Sequence, residues 1–247
     1  LERAAENFRS TAENVTNYVI RIINKAKGND NTLNVTLDNV NIKAKNDAAL
    51  SVEGAGNTTD TLKGDNTLTS DGQHAGLEHN EKDYYGREDT GKLTITSGNK
   101  NGSNTGSLTA TGSDALLARQ RLESGNYSDS GAGDIEIAGG DITAIGASDG
   151  AGIGSGCKAT GETNITISGT AKINARTDQG GAGIGSGSDA TGNTNITISG
   201  GTIENAQGGS GGAGIGSGSN ASNTTINISG GTIEKATGGV GGGAGIG

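Results

Sequence analysis

The chain has 247 residues, a formal net charge of −9 and an unusual composition: 48 Gly, one Cys, one Phe, and no Pro, Met or Trp. The acidic balance argues against nucleic-acid binding, which calls for a basic stripe. No apolar run approaches the roughly 18 residues of a membrane span, and a single cysteine excludes an internal disulfide framework.

Glycine does not recur at every third position, so a collagen helix is excluded, and regularly spaced Ile-x-Ile pairs argue against disorder. No signal peptide is visible, and the first residue is Leu1, which reads as a fragment or a mature form.

In chain order, residues 1–14 (LERAAENFRSTAEN) place Leu1, Ala4, Ala5 and Phe8 at helical spacing, which predicts a short N-terminal helix. Such a helix would cap an array covering residues 15–247. Tyr18-Val-Ile-Arg-Ile-Ile reads as the first strand. Three strands then recur in degraded form through residues 15–133. The first turn has Leu33-Asn-Val-Thr-Leu, Val40-Asn-Ile-Lys-Ala and Ala48-Ala-Leu-Ser-Val. The second has Thr59-Asp-Thr-Leu, Asn66-Thr-Leu-Thr and His74-Ala-Gly-Leu. From residue 134 to 247 the repeats are nearly identical. GAGIGSG begins at Gly150, Gly181 and Gly212, and its first five residues return at Gly243, a period of 31 residues. A fixed period of this length marks a solenoid or array.

Alternation along Asn164-Ile-Thr-Ile-Ser turns Ile165 and Ile167 to one face and the polar residues to the other. Stacking the turns lines up Ile95, Ile137, Ile167, Ile198 and Ile228 in one internal column. Glycine at the corners supplies positive φ, and the missing proline suits a chain whose strands all pair on both edges. The expected fold is all-β: a single-stranded parallel β-helix of about seven turns of three short strands. The last repeat breaks off at Gly247, so further repeats or another subunit are expected beyond it.

The order Leu33-Asn-Val-Thr-Leu-Asp-Asn-Val-Asn-Ile, Leu62-Lys-Gly-Asp-Asn-Thr-Leu, Ala75-Gly-Leu, Gly91-Lys-Leu-Thr-Ile and the AGIG array resembles a group of bacterial cell-surface proteins. These are described as carbohydrate-binding-domain proteins with a pectate-lyase-like, right-handed parallel β-helix. The similarity runs from about residue 33 to the end and rests on core and turn positions. The resemblance implies secretion, attachment to the cell surface and, in some members, binding of acidic polysaccharide with Ca²⁺.

Two connections depart from the repeat, His79–Thr90 and Arg119–Ser130. Both leave the third strand of one turn and enter the first strand of the next, so they are expected side by side on one edge. They carry His79, Asp83, Tyr84, Tyr85, Arg87, Arg119, Arg121 and Tyr127, the candidate ligand-binding set. Tyrosine rings stack on sugar faces and arginine pairs with carboxylate or sulfate; the alternative is an ordinary pair of solvated loops. A lyase version would place Ca²⁺ on Asp83, Glu88, Asp89 and Glu123, with Arg119 or Arg121 as the base.

Asp47, Asp114 and Asp149 each precede a third strand. They read either as a column of Ca²⁺ ligands or as turn residues capping backbone N–H groups. Outward Thr-x-Thr pairs also raise an ice-binding reading, but Glu136 and Asn227 interrupt the row. Cys157 stands where later repeats have Ser188 and Ser219, the position of a small residue. The functional expectation is a non-catalytic extracellular module that binds polysaccharide, with a polysaccharide lyase and a pure spacer as alternatives.

Overall fold

A computed structural model of the protein describes residues 18–26, 31–71, 74–81, 90–97, 106–112 and 131–247. It also gives the backbone of four short strands, Glu6–Phe8, Leu116–Leu117, Leu122–Glu123 and Asn126–Tyr127. The chain winds as a right-handed parallel β-helix of about six turns. Each turn contributes one strand to each of three ladders.

The first ladder runs through Leu33–Asp38, Thr58–Lys63, Leu93–Ser97, Gly133–Ile137, Thr163–Ile167 and the start of Thr194–Gln207 to Thr224–Ile233. The second runs through Asn41–Ala44, Asp65–Ser70, Ser107–Gly112, Asp141–Gly146 and Lys172–Thr177 to the end of Thr194–Gln207. The third comprises Ile20–Ile23, Leu50–Glu53, Leu77–His79, Leu116–Leu117, Ile153–Gly154, Ile184–Gly185 and Ile215–Gly216. The third ladder has seven strands, from Ile20–Ile23 to Ile215–Gly216, and Ile246 adds a bridge to Ile215 beyond them; about six turns form where about seven were expected.

The inward column is the one the alternation predicts. Ile95, Ile137, Ile167, Ile198 and Ile228 are successive partners in register. All but Ile228, on the last rung, are fully buried. Continued towards the N-terminus, the column passes through Asp60 and then Val35, so one rung of an aliphatic stack carries a carboxyl group. On the outer face, side-chain amides also stack. Asn164 donates to Asp134 Oδ1 at 2.7 Å, and Asn195 donates to Asn164 Oδ1 at 2.8 Å.

The glycines of GAGIGSG follow from how closely the third strands stack. Gly154, Gly185 and Gly216 have φ of 140°, 141° and 138°. A Cβ on Gly185 would lie 1.9 Å from the carbonyl oxygen of Gly216 on the next turn. No other residue fits at that separation.

Within the predicted N-terminal helix, the described residues 6–8 are not helical. Glu6–Phe8 is a strand, paired in parallel with Val35–Leu37, and no helix occurs among the described residues. The exposed edge of Leu33–Asp38 offers a row of unpaired N–H and C=O groups. A strand satisfies them, whereas a helix would leave them open.

Candidate functional site

The third ladder builds a site on its outward face. In register, Ile153, Ile184 and Ile215 are buried, and the residue after each is a glycine. In the early turns that same column holds Arg21, Ser51 and Glu78, which are successive partners. Where the later repeats have bare backbone, the first turns carry charge.

These side chains line a cleft of about 230 Å³, walled also by Asn46, Asp47, Glu53, His74, Asn80 and Thr90. The Arg21 guanidinium grips Glu53 with two contacts, Nε to Oε1 at 2.8 Å and Nη2 to Oε2 at 3.2 Å. This bond raises the arginine pKa still further above its ordinary value. Ser51 Oγ adds a third donor to Glu53 at 3.3 Å. Glu78 is almost wholly buried. One of its oxygens faces His74 Nδ1 at 2.7 Å, and the other accepts from Asn80 Nδ2 at 2.9 Å. The contact to Glu78 fixes the imidazole with its Nδ1 proton towards the carboxylate. Asp47, mostly exposed, stands 3.8 Å from the same nitrogen.

The cleft lies at the root of the first inserted connection. Thr90 N donates to Glu81 O at 2.8 Å, and Thr90 Oγ1 donates to Asn80 O, so the two ends of residues 82–89 are tied together beside the cleft. His79 is part of this root. It faces inward and is 1% exposed. Its Nδ1 lies 2.7 Å from Ala132 O and its Nε2 2.8 Å from Gly91 O. Gly91 lies just before the strand Leu93–Ser97 that follows the first connection, and Ala132 just before Gly133–Ile137, which follows the second. One imidazole therefore bridges the return points of both. Burial pushes the His79 pKa down, and the two carbonyl oxygens oppose that shift.

The other predicted site residues divide as follows. Asp83, Tyr84, Tyr85, Arg87, Arg119, Arg121 and Asp114 lie outside the described residues, as does the side chain of Tyr127. The backbone of Asn126–Tyr127 forms a short antiparallel hairpin with Leu122–Glu123. Asp47 Oδ1 accepts from Ala48 N at 2.9 Å, and Asp149 Oδ1 accepts from Gly180 N at 3.1 Å on the next turn. Both act as backbone caps. Among the described residues no group of three or more His, Cys, Asp or Glu side chains is placed to hold a metal ion. The outward threonine row is broken at Glu136, which Lys92 clamps at 2.6 Å, and this contact lowers the Glu136 pKa.

Sequence reasoning missed Arg21, Ser51, Glu53 and Glu78 as a group. The available signal was the column itself. Aligning the third strands on their inward aliphatic residue shows glycine giving way first to Leu117 and then to Glu78, Ser51 and Arg21 at one position.

Fold and cleft together define a right-handed parallel β-helix module with a polar site on its third face. A family model described as a beta helix repeat matches residues 135–157, 165–188, 196–219 and 226–247, four successive turns of the nearly identical array. No curated protein and no solved structure matches the chain.

Proposed function

We propose that this protein is a non-catalytic extracellular module that binds carbohydrate, with the cleft over Arg21, Ser51 and Glu78 as its sugar-binding site. The observation that carries this reading is a concave site walled almost wholly by hydrogen-bonding groups, set at the root of the connection that holds Tyr84, Tyr85 and Arg87. Sugar hydroxyls are recognised by such paired donors and acceptors, and ring faces by adjoining aromatic residues. Placement on a bacterial cell surface follows the sequence resemblance.

The charge of the cleft bears on the kind of sugar. Asp47, Glu53 and Glu78 face a single arginine, and that arginine is already paired with Glu53. Carboxylates therefore outnumber arginine in the cleft, which favours ligands rich in hydroxyl or ammonium groups over polyuronates. A lyase would need a carboxylate-held cation and an unengaged base. In the cleft Arg21 is engaged by Glu53; Asp83, Glu88, Asp89, Arg119, Arg121 and the side chain of Glu123, named for a lyase, lie outside the described residues.

A glycan array, read with and without Ca²⁺, tests the reading on the wild type and on Glu78→Gln. Glu78→Gln keeps the side-chain shape and removes the charge. Binding of neutral or amine-bearing glycans by the wild type, weakened in the variant, supports the assignment. Release of unsaturated sugar ends would instead mark a lyase. Absence of binding to any glycan would leave the solenoid as a spacer.

A further inference from the structure

The most anomalous side chain in the molecule lies away from the cleft. Asp60 occupies the inward column between Val35 and Ile95 and is 1% exposed. Neither of its carboxyl oxygens has a hydrogen-bond partner among the described residues, and Thr58 Oγ1, two residues away on the same inward face, is likewise unpartnered. The strands packed around it present no charge. Val35 and Leu37 face inward from the strand on one side, and Leu93 and Ile95 from the strand on the other. Across the core stand Asn66 and Leu68, then Leu108 and Ala110. Among the described residues, the other titratable group that neighbouring strands turn into the core is His79, whose two nitrogens face Ala132 and Gly91.

We infer that Asp60 is a proton-dependent latch: its protonated carboxyl lets the turns built on Leu33–Asp38, Thr58–Lys63 and Leu93–Ser97 close, and its ionisation loosens them. An isolated carboxylate in an apolar column is costly to bury, whereas a carboxylic acid is far less so. The inference does not depend on any ligand of the cleft.

Burial alone pushes the Asp60 pKa up to about 7, from an ordinary 3.8. The folded form thus holds a proton that the opened chain releases. The stability this proton confers is complete below about pH 4, declines as pH rises, and is gone above about pH 7. Since a solenoid's turns depend mainly on their neighbours, the loosening is local and spares the C-terminal repeats.

Amide hydrogen exchange, corrected for the intrinsic rate, tests this at pH 5.5 and pH 8. In the wild type the strands Thr58–Lys63 and Leu93–Ser97 are expected to lose roughly 30-fold in protection at the higher pH, with no further loss above it. The strand Thr194–Gln207 is expected to hold. In Asp60→Asn the pH-dependent loss disappears. Asp60→Val serves the same purpose should the amide prevent folding, because Val35 fills the equivalent place one turn away. Burial lowers the His79 pKa, so its contribution runs in the opposite direction, and subtracting the Asp60→Asn data removes it. Equal wild-type protection at both pH values, or a loss that persists in both variants, would overturn the inference.

Discussion

Gly185 and His79 illustrate how a single residue constrains this fold. A methyl group on Gly185 would meet the carbonyl oxygen of Gly216 at 1.9 Å, in a backbone conformation that L-residues avoid. Gly185→Ala is therefore expected to cost about 2–4 kcal/mol. A methyl group on Gly242 would meet nothing within 4 Å, so its replacement by alanine should carry only the penalty of the positive φ, about 1 kcal/mol. Urea midpoints of the two variants check the contrast. His79→Ala would empty a buried site and strand the carbonyls of Gly91 and Ala132, at about 2–4 kcal/mol. Limited proteolysis is expected to cut first beside those two positions. The glycine requirement was legible, because repetition marks the position three times over. The role of His79 was not: its place at the start of an irregular stretch gave no sign that the imidazole turns inward.

At the scale of the strand, alternation exposed most of the core, and the column from Ile95 to Ile228 stands as expected. It failed where a polar residue occupied an inward position. Asp60 sits in Thr-Thr-Asp-Thr-Leu, a segment that by composition looks exposed on both faces, and only the register with Val35 and Ile95 places it inside. At residues 6–8 the helical expectation failed for a different reason. The helical spacing is a local preference, overridden by the open edge of a sheet. The cleft was hidden because its parts lie up to 69 residues apart, from Arg21 to Thr90. Stacking brings Arg21, Ser51 and Glu78 together through partners that the sequence separates by a whole turn. The same stacking explains why Glu78 is the sensitive position: its carboxylate is buried and organises both His74 and Asn80. Glu78→Gln is expected to weaken binding of an amine-bearing sugar by about 10-fold, through loss of the charge beneath the cleft and of the anchor for His74 and Asn80. Titration of both proteins with the same oligosaccharide checks it.

At the scale of the molecule, the chain behaves as a stack whose two ends differ. The C-terminal turns are built from nearly identical strands with continuous isoleucine and glycine columns. The N-terminal turns carry Asp60, the charged cleft and the inserted connections. In a one-dimensional array such differences remain local. Denaturant unfolding at pH 8 is therefore expected to occur in more than one phase, the N-terminal turns melting first, and to become more concerted at pH 5.5. Circular dichroism combined with exchange-resolved unfolding measures this directly. The architecture thus separates a regular scaffold from a chemically specialised end, and the proposed binding site belongs to the latter.

The most direct test of the account is a titration of the wild type and Glu78→Gln with three short oligosaccharides, one of free amino sugars, one N-acetylated and one of uronic acids. Wild-type binding is expected to be tightest to the free amine, weaker to the N-acetylated sugar and weakest to the uronate, with the amine preference reduced in Glu78→Gln. Tightest binding to the uronate, or the same affinities in both proteins, would contradict it.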